Sequence, residues 1–224
     1  LIKSGAGKQT LTGDLNMVSD TDSVLNVHAG TLTLSTASGK THSVEYLDGE
    51  SGATLELADG DSDLITLGFA NTTSYTGADF EGTLELSGGV EHTVKVSSGT
   101  GSADYDNEQI LSGSLLANGS ADTLKKDGVG RLILTGDSSG TNKTYGGSAG
   151  SANYDNEIIV AHGTLVLGDG ADAGADFHSS TQFDIQRGKL EIAANEIITN
   201  TIKDTTSTTK SMVGGKGRLS AATI

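Results

Sequence analysis

Hydrophobic and polar residues alternate along most of this chain, and the alternating stretches begin with a glycine. The first reads "GTLTL" from Gly30. Similar stretches begin at Gly52, Gly82, Gly113, Gly130, Gly163, Gly188 and Gly217. Alternation with a period of two indicates a half-buried β-strand, so Leu32 and Leu34 face one side of the first strand. Thr31 and Thr33 then face the other side. The pattern therefore predicts a chain of short strands with a leucine-lined inner face.

The strands recur at a regular interval. The eight glycine-led stretches have a mean spacing of about 27 residues, which is typical of solenoid coils. Two pairs of longer segments are near copies: "SADYDNEQI" (102–110) matches "SANYDNEII" (151–159), and "KSGAGKQTLTGD" (3–14) matches "KDGVGRLILTGD" (126–137). Nine or so such strands, stacked about 4.8 Å apart in one ladder, would form a rod on the order of 40 Å long.

These features predict an all-β fold, a right-handed parallel β-helix (solenoid) that forms a single domain over residues 1–224. The alternative is a two-sheet β-sandwich with Greek-key connections, which the glycine-led repeat disfavours. The segment "NEIITNTI" (195–202) is a weak helix candidate, but its β-branched residues favour strand. We also expect the chain to be a fragment of a longer protein, because it opens at Leu1 and not at a methionine.

The composition is consistent with a thin core built from strands. Hydrophobic residues make up 34% of the chain and aromatic residues 4%, and there are 32 glycines but no proline. Proline lacks the backbone N–H that a sheet needs as a donor. The net charge of −15 argues against nucleic acid and anionic membrane surfaces as partners. The absence of cysteine excludes disulfides, thiolate catalysis and cysteine-ligated metals.

Several short motifs resemble parts of known catalytic or binding sites, but turn chemistry explains each of them better. "GAGK" at Gly5–Lys8 and "GKT" at Gly39–Thr41 lack the full spacing of a phosphate-binding loop, and neither precedes a helix. "GDSSG" around Ser138 and "GGSAG" around Ser148 resemble motifs of nucleophilic serines. Glycine- and serine-rich loops flank Ser148, whereas a nucleophile elbow needs a strand before it and a helix after it.

Candidate metal ligands are few. Asp59, Asp61 and Asp63 alternate in "DGDSD" but lack the Gly and the distal Glu of an EF-hand loop. A solvated acidic turn is the better interpretation, with Ca²⁺ binding as the alternative. His28 and His162 each precede a glycine-led strand, which indicates a shared turn position and not a metal site.

A glycan-cleaving site of the β-helix type would need acidic residues on adjacent strands together with a nearby cation. The chain offers only three arginines for this, Arg131, Arg187 and Arg218, and the sequence does not give the register of the strands. We therefore predict no catalytic, cofactor-binding or metal-binding residues, and no cofactor.

Four stretches carry a family resemblance: "KSGAGKQTLTGDL", "KDGVGRLILTGDSSGTNKTYGG", "NEIIVAHGTLVLGDGA" and "VGGKGRLSAATI". They resemble the passenger-domain repeat of autotransporters, the type V secreted proteins of Gram-negative bacteria. In that repeat a K-x-G-x-G-x-L-x-L-x-G start leads through a polar loop with Tyr-x-Gly to a second strand of the form x-G-T-L-x-L. Residues 126–168 match this order almost from end to end, with Tyr145 before Gly163. The motif at Lys3 departs sooner, because no Tyr-Gly follows before Gly30.

The resemblance implies a secreted β-helix displayed at the outer surface of a Gram-negative bacterium, and attached to the membrane only through an anchor outside this sequence. We expect a non-enzymatic structural or adhesive surface protein. Its partners would be its own copies, as an oligomer or fibre, or the glycans and proteins of other cells and hosts. The alternatives are a glycan-acting enzyme or toxin passenger, and the inert stalk of a longer exported protein.

Overall fold

The structure of the chain, a computed structural model, describes residues 1–17, 24–35, 41–58, 64–67, 78–97, 107–117, 122–135, 157–168, 177, 181–198, 200–206 and 212–219. These residues form 24 short strands and no helix. The first twelve strands are β1 (Ile2–Lys3), β2 (Lys8–Leu11), β3 (Leu15–Asn16), β4 (Val24–Val27), β5 (Thr31–Ser35), β6 (Thr41–Val44), β7 (Tyr46–Gly49), β8 (Thr54–Ala58), β9 (Leu64–Leu67), β10 (Ala78–Phe80), β11 (Thr83–Ser87) and β12 (Glu91–Val96). The other twelve are β13 (Glu108–Leu111), β14 (Leu115–Ala117), β15 (Thr123–Asp127), β16 (Arg131–Leu134), β17 (Glu157–Val160), β18 (Thr164–Leu167), β19 (Gln182–Ile185), β20 (Lys189–Ile192), β21 (Ile197–Ile198), β22 (Thr201–Lys203), β23 (Met212–Gly215) and β24 (Arg218–Leu219).

From β1 to β15, successive strands join three sheets, A, B and C, in turn, and from β16 to β20 the described strands alternate between sheets A and C. Sheet A has nine strands in the order β1-β4-β7-β10-β13-β16-β18-β20-β23. Sheet B has five, β2-β5-β8-β11-β14, and sheet C has eight, β3-β6-β9-β12-β15-β17-β19-β22. A fourth, small sheet pairs β21 with β24. We call the chain from one strand of sheet A to the next a coil, and we number the coils 1 to 9 from β1 to β23.

The strand pairs within the described ranges are all parallel. A Greek-key sandwich is built from antiparallel pairs, so this part of the chain does not have the alternative fold. The order of the strands is compatible with a parallel β-helix, in which each coil pairs with the coil before it and the coil after it. The all-β prediction is confirmed, and the described part of residues 195–202 contains β21 and the start of β22, as its β-branched content predicts.

The alternation predicted from the sequence places the leucines inside. On sheet B, Leu32, Leu55 and Leu84 are aligned in register, and each is at most 1% exposed. The second inward position of the same strands repeats this alignment with another leucine. The equivalent inward residues of β16, β18 and β20 on sheet A are also buried. One hydrophobic cluster therefore continues from coil 2 to coil 8 between the sheets.

Each of the eight glycine-led stretches opens a strand, but the interpretation of these strands as one ladder was wrong. The stretches from Gly30 to Gly113 lead into β5, β8, β11 and β14 of sheet B. Those from Gly130 to Gly188 lead into β16, β18 and β20 of sheet A, and the last leads into β24. The glycine-led motif thus forms the turn before a strand, and it precedes strands of more than one sheet.

Candidate functional site

Many of the motifs singled out in the sequence lie outside the described residues. This holds for the acidic turn with Asp59, Asp61 and Asp63, and for both candidate nucleophiles, Ser138 and Ser148. Of the "GKT" motif only Thr41 is described, and it begins β6. The "GAGK" motif forms the turn between β1 and β2 and precedes a strand, as the turn interpretation requires.

The most distinctive polar site centres on Lys126, the first residue of the motif "KDGVGRLILTGD". Lys126 lies near the end of β15, and its side chain lies inside the molecule, where it is 0% exposed. Its Nζ donates to three backbone carbonyls: Asp127 O at 2.8 Å, Gly128 O at 2.6 Å and His162 O at 3.0 Å. An ammonium group has three N–H donors, so the three contacts use its full donor capacity.

The near-copy motif at the start of the chain forms the same arrangement. Lys3 is 5% exposed, and its Nζ donates to Gly5 O at 2.7 Å and to Ala29 O at 2.9 Å. A longer contact of 3.5 Å joins it to Ser4 O. We call residues 3–7 and 126–130 the lysine-capped turns. In each of these turns, the lysine ammonium contacts carbonyls of its own turn and one carbonyl of a turn in the next coil. The turn in the next coil is residues 27–30 in the first case and 160–163 in the second.

Glycine is required at the position of the next coil that contacts the backbone of a lysine-capped turn. Gly163 has a φ of +67°, and a Cβ there would lie 2.2 Å from Gly128 O. Gly30 has a φ of +71°, and a Cβ there would lie 2.5 Å from Gly5 O. Both positions combine a left-handed backbone with direct backbone contact, and only glycine accepts this combination without strain.

Both histidines lie in turns that precede a glycine-led strand, but the predicted shared position is wrong by one residue. The N–H of His28 binds Lys3 O, and the residue that makes this contact in the second turn is Ala161, directly before His162. His28 lies in the turn above the first lysine-capped turn, and its Nδ1 is 2.7 Å from Oε1 of Glu50. His162 lies in the turn above the second, and its Nδ1 is 2.7 Å from Oδ1 of Asp127. Within the described ranges, no three histidine, aspartate or glutamate side chains are grouped closely enough to hold a metal ion.

The groups around Lys126 have altered acidities. Burial lowers the pKa of Lys126 to about 7, against a smaller opposite effect of the Asp127 charge. Burial alone would raise the pKa of Asp127, but hydrogen bonds from the Gly128 N–H and from His162, together with nearby positive charge, lower it. A neutral amine has only two N–H donors, so loss of the Lys126 proton would break one of its three carbonyl contacts.

A second group of polar residues covers the outer face of sheet B. Thr31, Thr54 and Thr83 form one in-register column there, which Lys8 extends by one coil. Because neighbouring strands lie about 4.8 Å apart, the hydroxyl-bearing side chains are spaced evenly along the axis. The column presents the same chemical group to solvent in three successive coils.

Two carboxylates lie side by side on this face. Glu56 and Glu85 are register partners on β8 and β11. Oε2 of Glu56 accepts from Lys8 Nζ at 2.7 Å and from Thr33 Oγ1 at 2.6 Å. Burial alone would raise the pKa of Glu56, but these two hydrogen bonds and the charge of Lys8 lower it. The strand register thus places two carboxylates on adjacent strands, as a glycan-cleaving site would need. The sequence alone does not give this register.

The structure does not bring the three arginines to this acidic pair. Arg131 begins β16 on sheet A, and its Nη1 lies 2.7 Å from Oε2 of Glu108 on the neighbouring strand. Arg187 lies just before β20, and Arg218 begins β24. The cation next to the pair is Lys8, which already contacts Glu56.

Ion pairs on the outer faces join one coil to another. Lys125 on β15 pairs with Glu91 on β12 at 2.9 Å, across neighbouring strands of sheet C. Lys203 on β22 reaches Glu157 on β17 at 2.6 Å, two strands away in the same sheet. Such exposed pairs contribute little stability each, typically about 0.2–1 kcal/mol. Both pairs lie on sheet C, where each joins two different coils.

No helix among the described residues is long and apolar enough to cross a membrane. No protein-family model, curated protein or solved structure matches the chain.

Proposed function

We propose that the chain is a right-handed parallel β-helix that serves as a structural or adhesive module at the surface of a Gram-negative bacterium, like an autotransporter passenger domain. The observation that supports this most is the repeated return of the chain to the same three parallel sheets, with nine strands in sheet A. Crossovers between parallel strands are right-handed in about 98% of cases, which supports the proposed hand.

The proposed contact mechanism is distributed over the outer faces. The hydroxyl column of Thr31, Thr54 and Thr83 and the neighbouring carboxylates Glu56 and Glu85 offer many weak hydrogen bonds in a fixed spacing. A partner that also repeats, such as a surface glycan, a surface protein array or a second copy of the chain, can use many of these groups at once. Affinity then grows with the number of coils engaged and does not depend on one residue.

Self-association is the form of contact that the ends of sheet A support. β1 and β23 are the edge strands of this sheet. Exposed apolar side chains occur on both: Ile2 is 67% exposed, and Met212 is 56% exposed. An edge strand with apolar side chains is a template for pairing with another strand. The net charge of −15 opposes such pairing at low salt, where charges are poorly screened.

Sedimentation velocity over a series of protein and salt concentrations tests this proposal. We expect the chain to form larger assemblies as salt rises, because screening removes the repulsion between acidic copies. A variant with Met212→Lys should assemble less, since a charge on an edge strand blocks pairing. Val129→Lys, at an exposed apolar residue in the turn between β15 and β16, is the matched control. A monomer at every salt and protein concentration would contradict self-association and would favour an inert stalk.

A glycan-acting enzyme is the second candidate, and the register of Glu56 and Glu85 is the observation that favours it. Retaining glycosidases use two carboxyl groups about 5–5.5 Å apart. Incubation with a panel of bacterial and host polysaccharides, followed by a reducing-end assay, tests this candidate. Release of reducing ends that Glu85→Gln abolishes would support it, whereas equal signals from the variant and the unchanged chain would contradict it.

A further inference from the structure

We propose that the K-x-G-x-G turn is a cation-binding turn, whose carbonyl oxygens form a cage for a primary ammonium group. In this chain the cage is occupied by the chain's own lysine. The binding groups would be the backbone carbonyls of two stacked turns. The lysine side chain would be a ligand that is covalently attached to the same chain.

The backbone contacts of the two lysine-capped turns follow the same rule. In the first turn, Lys3 O accepts from His28 N at 2.9 Å and Gly7 O accepts from Thr31 N at 3.3 Å. The first and last carbonyls of the turn thus bind N–H groups of the next coil. Of the three inner carbonyls, those of Ser4 and Gly5 accept from the ammonium.

The second turn divides its carbonyls in the same way. Lys126 O accepts from Ala161 N at 2.9 Å, and Gly130 O accepts from Thr164 N at 3.3 Å. Of the three inner carbonyls, those of Asp127 and Gly128 accept from the ammonium. In each turn the lysine therefore binds two carbonyls that lie between the two carbonyls used by the ladder between coils.

The two turns lie in different surroundings, so the shared geometry follows from the motif. The first joins sheet A to sheet B, and the second joins sheet C to sheet A. In each case the cage is completed by the carbonyl of the residue just before the glycine of the next coil, which is Ala29 in one and His162 in the other. The cage thus needs two consecutive coils stacked in the correct register.

The chemistry of the cage defines its ligand. Three carbonyl oxygens at 2.6–3.0 Å from Lys126 Nζ match a group with three N–H donors and one positive charge. The stem of the lysine runs through the apolar interior, where Val94 and Val160 are its register partners. The ligand class is therefore a short primary alkylammonium ion. A quaternary ammonium ion has the charge but no N–H donor.

Truncation and rescue of Lys126 test the proposal. Lys126→Ala removes the stem beyond Cβ together with the ammonium, and propylammonium has the same atoms. We expect a lower Tm for Lys126→Ala, and a rise in Tm that saturates with propylammonium chloride. Tetramethylammonium chloride at equal ionic strength should not give this rise. Lys125→Ala, which removes the neighbouring outward-facing lysine, should respond equally to both salts. An unchanged Tm for Lys126→Ala, or equal responses of Lys126→Ala to the two salts, would overturn the proposal.

The first turn provides a measurement if Lys126→Ala does not fold. Lys3 lies in coil 1, so its truncation is expected to leave the other coils intact. We expect faster hydrogen exchange at the backbone N–H groups of His28 and Thr31 in Lys3→Ala, because both bind carbonyls of the truncated turn. Propylammonium should restore the slow exchange, and tetramethylammonium should not. Exchange rates that Lys3→Ala leaves unchanged would overturn the proposal.

Discussion

The side-chain amide of Gln109 pairs with the backbone of Leu47 as a peptide group of a neighbouring strand would. Oε1 of Gln109 accepts from Leu47 N at 2.9 Å, and Nε2 donates to Leu47 O at 3.1 Å. Leu47 lies in coil 3 and Gln109 in coil 5. In coil 4, β10 pairs with β7 only between Phe80 and Gly49. The side chain of Gln109 thus gives the backbone of Leu47 the hydrogen bonds that it does not receive from β10.

Replacing Gln109 by leucine should therefore be costly, although it puts a typical core residue at an inward position. Gln109 is 0% exposed, so Gln109→Leu would leave the N–H and C=O of Leu47 buried without these partners. Each unsatisfied buried group costs about 1–3 kcal/mol. We expect the free energy of unfolding in urea to fall by about 2 kcal/mol or more. Gln182→Leu, on the half-exposed outer face of β19, is the control and should change stability by less than about 0.5 kcal/mol. Equal stability of the two variants would contradict this role of Gln109.

Gly163→Ala should destabilise the chain because it strains the backbone and separates two coils. The residue has a φ of +67°, and a Cβ would lie 2.2 Å from Gly128 O. The left-handed conformation alone costs a non-glycine residue about 1–2 kcal/mol. We therefore expect a loss of about 2 kcal/mol or more in the free energy of unfolding, measured by urea denaturation.

Gly13→Ala is the matched control for this substitution. A Cβ at Gly13 would meet no heavy atom within 4 Å, and its φ is not left-handed. The variant should be neutral or slightly stabilising, since alanine restricts the unfolded chain more than glycine does. A similar stability change in both variants would mean that the contact between residues 126–130 and Gly163 is not important.

Lys126 should make stability depend on pH in the weakly alkaline range. Its pKa in the folded chain is about 7, below the value of about 10.4 for a lysine in an unfolded chain. Between these two values the unfolded state binds more protons than the folded state, so the free energy of unfolding rises with pH. The cost of keeping the ammonium buried is fully present below pH 7 and is relieved above it.

The test compares Lys126→Met with the unchanged chain in urea at pH 7 and at pH 9. Other groups titrate in this range, and the difference between the two proteins isolates the contribution of Lys126. One group contributes at most about 1.4 kcal/mol per pH unit, so we expect the unchanged chain to gain on the order of 1–2 kcal/mol more than the variant. Parallel pH profiles of the two proteins would show that Lys126 keeps an ordinary pKa in the folded state.

The strands were predictable from the sequence because their signal is local. Alternation in "GRLIL" identifies the inward residues Leu132 and Leu134, whatever the rest of the chain does. The sheet to which each strand belongs was not predictable in this way. "GTLEL" at Gly82 and "GRLIL" at Gly130 have the same pattern but open strands of sheets B and A. The difference depends on how many strands precede each one in its coil, which is not a local property.

The lysine-capped turns were missed because a lysine is normally an exposed residue. The contact that completes the second cage joins Lys126 to a residue 36 positions later, and no pattern within the motif indicates that distance. A signal was present nonetheless. Leu124 and Lys126 are two residues apart on one strand, so period-two alternation places both of them inside. A charged residue at an inward-facing position that is also the first residue of a K-x-G-x-G motif would have identified the site.

Parallel, in-register stacking of successive coils can be tested with pairs of introduced cysteines, because the chain has none of its own. Thr54 and Thr83 are register partners on adjacent strands of sheet B. Their Cα atoms should be about 4.8 Å apart, within the range of about 4.4–6.8 Å that disulfides bridge. Thr31 and Thr83 are two coils apart, a distance of roughly 9.6 Å, which is too long for a disulfide.

The measurement is intramolecular disulfide formation in dilute protein under mild oxidation, followed by mass spectrometry of the linked peptides. We expect a link in Thr54→Cys/Thr83→Cys and none in Thr31→Cys/Thr83→Cys. Equal linking of both pairs, or linking of the second pair alone, would contradict the stacking of these coils.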